Sequence, residues 1–172
     1  MCKTALLLAA TLCLVSTFAF STSTHAAQLS SMVRSPSPSG TVRLATGGGC
    51  SSISTNGTGD ISASSCISYA SPYLQPDGYA SFYKLSGSNQ HGGPSSCRFR
   101  LQVYEGTSFL AQADYNCAVA AASYQQNAHY GPLSVFATAA GVSYYSIAQV
   151  RVQYADGFTT NCYTNASPAI TL

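Results

Sequence analysis

Between Cys97 and Cys117 a single strand register meets four requirements at once, and no other segment restricts the fold as tightly. Arg98 to Tyr104 and Leu110 to Asn116 read as strands joined through Glu105 to Phe109, with Thr107 at the centre of a three-residue turn. Cys97 then faces Cys117, Phe99 faces Tyr115, Leu101 faces Ala113 and Val103 faces Ala111 on one side of the pleat. The other side pairs Arg98 with Asn116, Arg100 with Asp114 and Gln102 with Gln112. An apolar face, a polar face, an ion pair and a disulfide follow together. A slip of one residue would remove all four, because side chains alternate between faces.

A turn centred on Thr58 in Asn56-Gly57-Thr58-Gly59 likewise sets Cys50 opposite Cys66. Directly opposed cysteines lie within disulfide reach when they form a non-hydrogen-bonded pair. Each bridge is expected to stabilise the fold by about 2 to 4 kcal/mol. Cys162 is left over and is expected as a buried free thiol. A two-residue turn at Asp156-Gly157 sets it opposite Arg151 on the polar face, and a three-residue loop sets it opposite Val152, facing inward. No C-x-x-C is present and no histidine stands at ligand spacing from a cysteine, so neither a metal site nor a cofactor is expected.

Cys2 and Cys13 belong to a different segment. Lys3, the apolar run from Ala5 to Phe20 and the small residues up to Ala27 have the form of a secretory signal peptide over residues 1–27. The run is too short and too interrupted to span a bilayer, and no later segment can. The expected mature protein is secreted and extracellular, in a compartment where disulfides persist. Residues 28–40 contain Ser35-Pro36-Ser37-Pro38-Ser39-Gly40 and read as a flexible lead-in. Residues 41–172 are of single-domain length.

Further strands are expected at Thr41 to Ala45, Ile61 to Ala70, Tyr79 to Leu85, Leu133 to Thr138, Val142 to Tyr154 and Phe158 to Thr164. Gln75-Pro76-Asp77-Gly78, Ser86 to Ser96, Gly131-Pro132, Ala140-Gly141 and Asp156-Gly157 read as turns or loops between them. Only Ala118 to Tyr124 has a helical reading. The class is therefore all-β: an antiparallel β-sandwich or small barrel of about 7 to 8 strands, braced by disulfides.

Charged residues are only 7% of the chain, with 7 basic and 5 acidic side chains. Such a balance gives no electrostatic footprint for nucleic acid. The polar face offers planar hydrogen-bonding groups beside a ring: Arg100, Gln102, Tyr104 and Gln112 on the hairpin, with Arg151 and Gln153 on a further strand. Such groups suit sugars, whose hydroxyls bond in plane and whose apolar faces stack on rings. The leading expectation is a non-catalytic binding module for a carbohydrate or cell-envelope surface.

Two alternatives come from other classes. His91 and His129, both read as loop residues, could perform ribonuclease-like acid-base cleavage in a small secreted hydrolase if they converge. The 86–96 loop beside the Cys97 bridge could serve as a protease-inhibitor loop. Tyr104-Glu105-Gly106-x-x-Phe109 resembles the opening of a βγ-crystallin Greek-key motif over six residues, without its later glycines or its calcium clamp, and implies no site here. Asn56 and Asn165 begin N-x-Ser/Thr sequons that matter in a eukaryotic source. Peptide mapping without reduction should recover Cys97 joined to Cys117; a link from Cys162 to either would overturn the hairpin register.

Overall fold

The computed structural model describes residues 46–85 and 91–172. The signal peptide and lead-in expected over 1–40, the strand expected at 41–45 and residues 86–90 of the 86–96 loop lie outside them. In chain order the elements are β1 (Thr46–Gly47), β2 (Gly49–Cys50), β3 (Ser54–Thr55), β4 (Ile61–Ala70), β5 (Tyr73–Phe82), β6 (Pro94–Glu105), β7 (Ser108–Asn116), α1 (Ala118–Ala122), β8 (Ala128–Tyr130), β9 (Val135–Phe136), β10 (Ser143–Tyr154), β11 (Thr159–Tyr163) and β12 (Ile170–Thr171). They form two antiparallel sheets. The first runs β7-β6-β10-β12-β1, with β11 beside the far half of β10; the second runs β2-β4-β5-β8, with β3 on β4 and β9 on β5.

Period-two alternation builds the interior. Strands β6 and β10 pair from Tyr144 opposite Glu105 to Val152 opposite Cys97. They turn Phe99, Leu101, Val103, Tyr144, Ala148, Val150 and Val152 inward, all buried. Strands β4 and β5 answer with Ile61, Ala63, Ile67, Leu74, Ala80 and Phe82. Each fully buried large aliphatic or aromatic side chain contributes roughly 1.5 to 3 kcal/mol relative to exposure.

Hydroxyls occupy the same interior. Ser65 and Ser146 are fully buried where β4 meets β10. Ser65 Oγ donates to the Ser146 carbonyl at 3.1 Å, and Ser146 Oγ donates to the Cys66 carbonyl at 2.8 Å. Thr164 Oγ1 accepts from the Ala148 N–H at 2.8 Å and donates to Ser65 Oγ at 3.1 Å. The two sheets are thus hydrogen-bonded to each other through their middle, with every buried hydroxyl of the seam satisfied. Nearby, the carboxylate of Asp60, 1% exposed, accepts from Asn56, Thr58 and Tyr154. Asn56 Nδ2 also donates to Thr160 Oγ1 of β11 at 2.6 Å, so this cluster too joins the sheets.

Both expected disulfides are present, Cys50–Cys66 and Cys97–Cys117, and Cys162 is free and buried. The 97–117 hairpin has the expected register from Arg98–Asn116 to Val103–Ala111. Nearer the turn it differs. Tyr104 faces Phe109 and Glu105 faces Ser108, so the loop is the pair Gly106-Thr107 rather than a three-residue turn, and a bulge at Leu110 takes up the extra residue. Gly106 has φ 57°, which a tight two-residue hairpin turn requires. A similar shift separates Cys50–Cys66 from Ser54–Ala63 in the other hairpin.

Two further expectations are corrected. The loop after β10 spans Ala155, Asp156 and Gly157, closed by the Tyr154 N–H to the Phe158 carbonyl at 2.9 Å. Cys162 therefore opposes Val150, not Arg151 or Val152. Gln75-Pro76-Asp77-Gly78 is not a turn but the middle of β5, and the chain reverses at Ser71-Pro72 instead. Pro76 lies between the stretches of β5 that pair with β8 and β9, where the neighbouring edge is interrupted. Gly78 serves close approach: a Cβ there would lie 2.5 Å from Phe99 Cζ. Gly78→Ala should accordingly cost about 1 to 3 kcal/mol by overpacking. Urea unfolding should show the midpoint fall at constant m, with a smaller loss in a Phe99→Leu background; an unchanged midpoint would mean the ring yields freely.

Candidate functional site

The outer face of the first sheet gathers all six side chains expected to bind. Register places Arg100 between Asp114 and Gln149, Gln102 between Gln112 and Ile147, and Tyr104 between Phe109 and Tyr145, while Arg151 and Gln153 continue the face along β10. Arg100 grips Asp114 through two parallel bonds, Nε to Oδ1 at 2.8 Å and Nη2 to Oδ2 at 3.0 Å. This bidentate bond holds the Asp114 carboxyl below the usual carboxylate range. Gln102 Nε2 donates to Gln112 Oε1 at 3.4 Å and Gln149 Nε2 to the Tyr163 hydroxyl at 2.9 Å. Planar polar groups are therefore fixed in orientation before any ligand arrives.

An aromatic row crosses the same face. Tyr104 stacks on Tyr145 with centroids 5.3 Å apart and planes 7° from parallel, and meets Phe109 edge-on at 5.9 Å. Phe109 and Tyr163 are 56% and 63% exposed, which is unusual for large rings and places contact surface in water. Tyr145, Phe109 and Tyr163 were not among the expected site residues. Parity along β10 marks Tyr145, since it shares its phase with Gln149, Arg151 and Gln153; Phe109 was hidden by its assignment to the turn.

The two histidines have different partners. His91 Nδ1 lies 2.6 Å from Asp156 Oδ2, and its ring stacks on Phe158 at 3.8 Å. It borders a small cleft of 50 Å³ with Tyr83, Lys84, Tyr124 and Tyr154. His129 is not in a loop: it lies in β8 opposite Tyr79, with Nε2 2.9 Å from Asp77 Oδ2. Each imidazole has its own aspartate, and the two share no hydrogen-bond partner.

Other reactive groups are quenched by burial. Burial pushes the Cys162 thiol up, and its Sγ donates to the Ser54 carbonyl at 3.4 Å. Burial and the Asp60 hydrogen bond raise Tyr154, so it stays a donor. Tyr130, stacked on Phe99 at 4.4 Å, is pushed up to about 12 by burial; its hydroxyl is the one buried side-chain polar atom without a partner among the described residues. Asn56 spends its amide on the Asp60 cluster, whereas Asn165 is exposed with Nδ2 2.9 Å from Ser52 Oγ. Among the described residues no three His, Cys, Asp or Glu side chains converge, and no helix is long and apolar enough to cross a membrane.

The fold and its faces define a disulfide-braced, two-sheet antiparallel β-protein. No protein-family model matches the chain, no curated protein matches it in sequence, and no solved structure matches it significantly in fold. Because the Asp114 carboxyl titrates below its ordinary range, the Arg100–Asp114 bond is complete above the unfolded carboxylate pKa and is lost only as pH falls through the lower folded value. A carboxyl NMR titration should show Asp114 depressed in the wild type and moved upward in Arg100→Gln; equal midpoints would show that the bond does not persist in solution.

Proposed function

We propose that the protein is exported and acts outside the cell as a non-catalytic binding module for extended carbohydrate, of a polysaccharide or cell-envelope surface, through the outer face of its first sheet. The observation that carries this reading is the Phe109-Tyr104-Tyr145 row beside the fixed Arg100–Asp114 and Gln102–Gln112 pairs. A sugar chain presents alternating apolar ring faces and hydroxyl edges, and this face presents rings and planar hydrogen-bonding groups in adjacent rows. The face spans β7, β6, β10 and β11 and is open rather than enclosed, as a bound solid surface would require. Two disulfides suit an oxidising compartment.

Incubation of the mature protein with a panel of insoluble polysaccharides and isolated cell walls, with released products assayed from the same tubes, tests the reading. Retention without product is expected. The Tyr104→Ala/Tyr145→Ala double variant should weaken retention at least about tenfold, the equivalent of about 1.4 kcal/mol. Retention indifferent to that variant, or soluble product that disappears with His91→Ala or His129→Ala, would overturn it.

A further inference from the structure

A separate cleft of 400 Å³ lies on the second sheet, bordered at one side by Gly47 of β1. The Cys50–Cys66 disulfide, Gly49, Tyr69, Asp77 and Tyr79 line it. Its volume lies within the range of small-molecule sites, about 300 to 1,000 Å³. Three of its features restrict what could occupy it.

The first is a half-committed carboxylate. Asp77 Oδ2 faces His129 Nε2 at 2.9 Å and accepts from the Tyr79 hydroxyl at 3.5 Å, which fixes the carboxyl plane. Oδ1 has no partner among the described residues, although the side chain is only 23% exposed. This oxygen is open to solvent and free to accept from a ligand donor. Secondly, no lysine or arginine lines the cleft, so an anionic ligand would meet only the carboxylate's repulsion. Thirdly, an aromatic ring shares the outward phase of Asp77: Tyr79, braced by the His129 ring at 4.9 Å, whereas the Tyr69 side chain has the inward phase and packs on the core.

We propose that this cleft binds one neutral pyranose unit, with Asp77 Oδ1 accepting from its hydroxyls and the Tyr79 ring meeting its apolar face. Asp77 and Tyr79 are ligand contacts; His129 positions the carboxylate. The ligand class is that of the proposed function, but the residues are on the other sheet, so the two sites can fail independently. If both hold, one molecule engages a polymer with one face and a short or terminal sugar with the other, and it can link two strands.

The test is a titration of the isotopically labelled mature protein with methyl pyranosides, including glucose, galactose, mannose and N-acetylglucosamine, followed by backbone amide NMR. Saturable shifts in the millimolar range are expected at Gly49, Ser68, Asp77 and Tyr79. Asp77→Asn keeps the shape and removes the charge, and should weaken binding at least about tenfold while the spectrum stays dispersed. His129→Gln should weaken it less, and Tyr104→Ala/Tyr145→Ala should leave it unchanged. No shift at these amides with any neutral pyranoside, shifts only with glucosamine, or an affinity unaltered in Asp77→Asn would overturn the proposal.

Discussion

The two sheets are held in register by buried hydroxyls, and most of the architecture follows from that. A core of aliphatic side chains alone resists separation but tolerates sliding, since apolar contact has no direction. The Ser65, Ser146 and Thr164 hydroxyls reach backbone groups or each other across the interface at distances of 2.8 to 3.1 Å, and a hydrogen bond is directional. Small side chains at 65 and 146 also let the strands come close enough for those bonds to form. Leaving any one of these groups unpaired in the interior would cost about 1 to 3 kcal/mol, so the seam is favourable only as a whole. The disulfides do not hold the sheets together, since each joins neighbouring strands within one sheet or a strand to the residue just past its hairpin partner.

What could be read from the residues divides along the same line. Where apolar and polar residues alternate, as in Phe99, Leu101 and Val103 against Arg98, Arg100 and Gln102, period two was enough to fix the strand, its faces and its disulfide. The interior serines, Asp60 and Thr160 were not legible, because a polar residue read alone indicates surface and only its partners across the interface show otherwise. Pro76 and Gly78 misled for a related reason. Both residues mark turns locally, yet in β5 one occupies an interruption in the neighbouring edge and the other makes room for Phe99. Reading Leu74, Pro76, Gly78, Ala80 and Phe82 as one alternating set would have recovered β5, and with it the outward position of Asp77. The six expected members of the first-sheet face were legible because they share one parity along each strand, whereas Phe109 breaks that parity through the bulge at Leu110. The cleft was not, because Gly49, Tyr69 and Asp77 come from three strands whose order no short-range pattern encodes.

The low charge of the chain takes on meaning from these faces. Three of its carboxylates have fixed local partners, Asp114 with Arg100, Asp156 with His91 and Asp77 with His129. The rest of the described surface is mostly amide, hydroxyl and aromatic, with Lys84, Arg98 and Arg151 as scattered cations. With so few charges, the recognition proposed above rests on contact geometry rather than on long-range steering.

Strand β1 pairs with β12 so that Thr46 stands opposite Thr171. The two ends of the described fold therefore leave the same short ladder side by side, at one edge of the first sheet. Tension applied between them would open that ladder one bond at a time, as a zip, instead of shearing many bonds together. The Cys50–Cys66 link lies only a few residues further in and would stop the zip at β4. No disulfide lies beyond Cys117, so tension should be arrested at a covalent link on the N-terminal side while the C-terminal side goes on peeling through β12 and β11, a fuse on one side only.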